Sequence, residues 1–84
     1  MDARLFEGRC LLSSGCWDVT VTVDEDDGAL WLQATRGGHI WATNLGPRRA
    51  GAADAFIAGC ALVKAIEEHG GPSWQAMDAA LDLI

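Results

Sequence analysis

Two periods divide this chain. Between Trp17 and Val23 apolar and polar positions alternate: Trp17, Val19, Val21 and Val23 on one side, Asp18, Thr20 and Thr22 on the other. That period of two predicts a strand with one buried face. DEDDG, Asp24 to Gly28, reverses the chain. Ala29 to Thr35 then returns, with Leu30, Leu32 and Ala34 opposite Trp31, Gln33 and Thr35. Before this hairpin, Phe6, Cys10 and Leu12 share a parity around Gly8 while Leu5 and Leu11 sit on the other, so the inward face of that first strand is ambiguous. SSG, Ser13 to Gly15, predicts a tight turn after it. Arg36, Gly37 and Gly38 form the next turn, and Ile40 to Leu45 reads as a short fourth strand.

After LGPRR the period lengthens. A helix is expected from about Gly51 to Glu68, with Phe56, Gly59, Val63 and Ile66 along one stripe. Gly51, Ala55 and Gly59 recur every fourth residue and offer a small-residue face for self-association. HGG supplies a glycine C-cap and Pro72 enforces the break. Ser73 can cap a second helix from Trp74 to about Leu83, with Trp74, Met77, Leu81 and Ile84 apolar and Asp78 and Asp82 facing away. The order β-β-β-β-α-α predicts an α+β fold. A small antiparallel sheet of three to four strands carries the long helix on one face, and the short C-terminal helix covers an end of the sheet.

Length changes this picture little: 84 residues read as one domain with a small core. Charge changes it more. Twelve acidic against six basic residues leave a net charge of −6, which disfavours direct contact with nucleic acid phosphates and favours a basic protein surface. No apolar run is long enough to cross a membrane, and MDARLFEGR lacks the basic-then-apolar order of a signal peptide, so a cytoplasmic protein is expected. The odd set Cys10, Cys16 and Cys60 fits buried thiols in a reducing compartment. A Cys10–Cys16 disulfide across LLSSG is the alternative. These cysteines and His39 and His69 lack the spacing of a zinc module.

Candidate chemistry is sparse. DEDDG is not a calcium loop of the EF-hand kind: counted from Asp24, glycine falls fifth and the twelfth residue is Thr35. Asp24, Glu25, Asp26 and Asp27 therefore read as a solvated turn or a patch for a basic partner. Arg48 and Arg49 stand before the long helix, where a bound anion or an acidic partner would offset their conflict with the helix dipole. GPRRAGAAD nevertheless lacks the phosphate-loop pattern. Arg36 and His39 flank Gly37 and Gly38, but no ordered motif supplies a nucleophile or an orienting carboxylate, so no catalytic residue, metal or cofactor is expected. Of four tryptophans, Trp17 and Trp74 fit core stripes. Trp31 and Trp41, with Arg36 and His39, are candidate interface anchors.

The β-β-β-α stretch from Trp17 to His69, with its acidic hairpin turn, loosely resembles small HicB-like antitoxins. It departs from them in lacking a Pro-containing strand end and a polar threonine-glutamate helix start. The expectation is a small acidic, non-enzymatic protein that binds and inhibits a basic target, including a nucleic-acid-binding one, as a phage-encoded inhibitor of a host defence complex would. The alternative is a homo-oligomer, structural or regulatory and antitoxin-like, in which a homodimer packs through Gly51, Ala55 and Gly59.

Overall fold

The computed structural model describes residues 3–45 and 52–83. Four strands, β1 (Ala3–Leu12), β2 (Gly15–Val23), β3 (Leu30–Arg36) and β4 (His39–Asn44), precede two helices, α1 (Ala52–His69) and α2 (Trp74–Asp82). The strands form one antiparallel meander in the order β1-β2-β3-β4. The architecture is α+β.

Register follows from the alternation. Val19 pairs with Ala34, Val21 with Leu32 and Val23 with Leu30, so each inward residue of β2 meets an inward residue of β3. Trp31, Gln33 and Thr35 share the other face with Asp18, Thr20 and Thr22. Both helices lie on the first face and leave the second without a covering element among the described residues. The ambiguity of the first strand has a physical cause. The β1–β2 register slips between Arg4 and Phe6, which places Leu5 at a bulge. Leu5 and Phe6 therefore both pack against the core, while Leu11 is 81% exposed on the open face.

The core joins Val19, Val21, Leu30 and Leu32 of the sheet to Ala55, Ala58, Leu62, Ala65 and Ile66 of α1. Of the expected α1 stripe, Gly59 and Ile66 are buried and Val63 is half-buried, but Phe56 is 61% exposed; the rest of the buried face includes Ala55, Ala58, Leu62 and Ala65. The branched sheet residues already fill the space, so the facing helix must contribute small side chains to come close. Gly59 is part of this packing, since a Cβ there would clash with the edge of the Phe6 ring. The helix ends as the HGG signal requires. Gly70 adopts φ +74°, and Gly70 and Gly71 donate to the Glu67 and Ile66 carbonyls at 3.3 and 3.0 Å.

In α2 the Ser73 Oγ accepts from the Ala76 N–H at 3.1 Å. Ala76, Met77 and Ala80 are buried, whereas Trp74 is 64% exposed, which corrects its assignment to the core. The helix docks chiefly against α1 and reaches the sheet through Trp74, which meets Trp41. Its inward face is set by that helix–helix contact, and Trp74 lies at the edge of that face.

Candidate partner interface

The hairpin turn between β2 and β3 is held by its own atoms. Asp24 donates its N–H to the Ala29 carbonyl at 2.9 Å and accepts from Gly28 at 2.7 Å. The Asp24 Oδ1 accepts from the Asp26 N–H at 2.9 Å, and the Asp27 Oδ1 accepts from the Ala29 N–H at 2.8 Å. Two of the aspartates thus act as local acceptors, which is the usual reason aspartate occupies turns. Gly28 completes the reversal at φ +73°. Glu25, Asp26 and Asp27 are exposed at the tip. Among the described residues no group of three histidine, cysteine or carboxylate side chains is placed to hold a metal ion.

The second hairpin turn lies at the opposite end of the sheet. Arg36 and His39 pair directly across Gly37 and Gly38, and Trp41 pairs with Ala34 on the helix-bearing face. Asp18 pairs with Thr35, so Trp17 falls beside Arg36 on that same face. Together Trp17, Arg36, Gly37, Gly38, His39 and Trp41 line a shallow recess of about 620 Å³. Trp41 meets Trp74 edge to face, with ring centroids 5.1 Å apart and planes at 75°. The Arg36 guanidinium lies across Gly15, where an added Cβ would come within 2.5 Å of it. Gly15 has φ +137°.

The expected contact residues therefore do not form one surface. Asp24, Glu25, Asp26 and Asp27 lie at one end, and Arg36 and His39 at the other. Trp31 is half-buried on the open face, and Trp41 lies on the helix-bearing face. What is brought together is Arg36, His39 and Trp41 with Trp17, which also sits in the core as expected, and with Trp74, which does not. Counting outward from the two hairpin turns would have located Trp17 beside Arg36. No sequence signal locates Trp74, because α2 reaches β4 only through the tertiary fold.

The small-residue stripe faces inward. Ala55 is fully buried and Gly59 packs under Phe6, so neither is available to a second copy. That corrects their assignment to self-association. Arg48, Arg49 and Gly51 lie outside the described residues. The other described cations are engaged on the body of the fold. Arg4 meets Glu7 at 2.6 Å, Arg9 meets Asp18 at 3.2 Å and Lys64 meets Glu68 at 4.0 Å. All six partners are exposed, so these pairs add little stability.

None of the three cysteines is in a disulfide. Cys10 pairs in register with Trp17, and Leu11 with Cys16, which puts the two thiols on opposite faces of the sheet. Cys10 is fully buried and its S–H donates to the Val63 carbonyl at 3.6 Å. Burial pushes its thiol up to about 11, and the negative charges of Glu67 and Cys16 add to the shift. It is a packing residue and not an activated nucleophile. No protein-family model, curated protein or solved structure matches the chain.

Proposed function

We propose that this protein is a non-enzymatic binder that uses its acidic hairpin turn to capture a basic protein and inhibits it by occlusion. One observation carries the reading: Glu25, Asp26 and Asp27 stand exposed at the end of a β-hairpin whose shape is held by hydrogen bonds within the turn, the Asp24 and Asp27 carboxylates among their acceptors. The surface is preorganised, so little ordering entropy is lost on binding. A net charge of −6 reinforces attraction to a cationic partner and steers its approach. A target that itself binds nucleic acid fits this chemistry, because its phosphate-binding surface is basic.

The test is affinity capture from the native host over a salt series. Glu25→Lys with Asp26→Lys reverses the tip while leaving the Asp24 and Asp27 side-chain acceptors in place. Wild-type protein should retain a partner at low ionic strength and release it as salt rises. The variant should fold normally and retain none. Unchanged capture by the variant would refute the reading. A homo-oligomeric structural or regulatory role is the second reading, favoured by the exposure of Phe56 and Ile57 on α1.

A further inference from the structure

We infer that the outer edge of β1 and the adjoining flank of α1 form a two-fold interface with a second copy of this chain, centred on Gly8. β1 is an edge strand, so its outward N–H and C=O groups have no ladder partner among the described residues. Beyond the bulge at Leu5, the stretch Phe6–Leu12 keeps regular register with β2.

Symmetry narrows the choice of register. A two-fold axis normal to the sheet continues it antiparallel and keeps both copies' helices on one side. Partner residues must then share a face. An axis through Glu7 sets two glutamates opposite each other, and an axis through Arg9 sets two arginines opposite. An axis through Gly8 sets Glu7 opposite Arg9 of the second copy, twice, on the open face. The same register sets Phe6 opposite Cys10 on the helix-bearing face, with glycine on the axis where the backbones approach. The edge is therefore charge-complementary to itself in this register. Glu7 and Arg9 already meet Arg4 and Asp18 at the exposed surface and can share them with the second copy.

The helix layer fits the same operator. α1 packs chiefly on β1 and β2, and a Cβ on Gly8 would touch Val63 at 3.5 Å. With strands about 4.8 Å apart, a helix over the β1–β2 seam lies roughly 9.6 Å from its symmetry mate, within the usual range for packed helices. The flank that would meet the mate carries Phe56, Cys60 and Val63. Phe6, Cys60 and Val63 supply the apolar floor of a groove of about 360 Å³, and Arg9, Lys64 and Glu67 line its rim. Phe56 meets Phe6 edge to face, with centroids 5.9 Å apart, and exposes the remainder of its ring.

This interface does not depend on the acidic turn, so a monomer that still captures its target would refute the dimer and leave the other reading intact. The full chain is examined in a Cys16→Ser background by sedimentation velocity and by cross-linking with a short bifunctional maleimide. The expected result is a concentration-dependent dimer, cross-linked through Cys60 and no longer cross-linked after Cys60→Ser. Glu7→Arg alone and Arg9→Glu alone should each weaken the dimer about tenfold or more, and the two together should restore it. A monomer at all concentrations would overturn the proposal and leave the edge to a strand from another protein. A dimer indifferent to the charge swap, or cross-linked without Cys60, would also overturn it.

Discussion

The two ends of the sheet are built by different means. At the β2–β3 end the turn is closed by contacts within six residues, Asp24 to Ala29, and Glu25, Asp26 and Asp27 are exposed at its tip. At the other end Trp17, Arg36, His39 and Trp41 come from three strands, and Trp74 joins them from α2. The first end is local chemistry that any hairpin of this sequence would reproduce. The second exists only when the sheet register and both helices are in place. Perturbing the fold should therefore dismantle the aromatic end, and perturbing charge should disable the acidic end without unfolding anything.

The sharpest separation should come from charge reversal. Glu25→Lys with Asp26→Lys is expected to weaken capture about 100-fold or more with no change in the urea midpoint. Arg36→Ala should leave capture within a factor of about three. Equal losses would mean that both ends touch the partner.

Alkaline pH should act on the aromatic end next. Cys10 lies in register with Trp17, and its pKa is raised to about 11 from an ordinary value of 9.0. The folded state favours the protonated thiol. Its contribution is complete below pH 9 and is lost as pH rises through about 11. The unfolding free energy should fall over that window by up to about 2–3 kcal/mol, and Cys10→Val should remove the decline. A wild-type stability flat across that range would contradict the burial of this thiol.

Trp41→Ala removes the edge-to-face contact with Trp74 and should cost about 2 kcal/mol, read by urea unfolding. Trp74 fluorescence should shift to the red in the folded variant, while capture persists. The smallest effect is expected at the turns themselves. Gly28→Ala and Gly37→Ala, at φ +73° and +58°, should each cost about 1 kcal/mol. Only Gly28→Ala should alter capture, because only it displaces the acidic tip.

Legibility tracked the range of the interactions. The alternation from Trp17 to Thr35 was enough to read the central hairpin, because a half-buried sheet imposes period two on every residue. The bulge at Leu5 was not readable, since both Leu5 and Phe6 are apolar and either parity is acceptable in isolation. On α1 five large apolar residues are scattered among six alanines, and the sequence invites Phe56 inward. The structure turns Ala55, Ala58 and Ala65 inward instead, because the opposing sheet had already filled the volume.

The sequence by itself determined the elements, their order, the caps at Gly70 and Ser73, and the outward charge of DEDDG, because each depends on neighbours a few positions away. Only the tertiary structure decided which stripe of α1 is buried, that Gly59 lies beneath Phe6, and that Trp17 and Trp74 flank Arg36 and His39. Those outcomes depend on how much room one layer leaves for the next, a quantity that arises only when the layers meet.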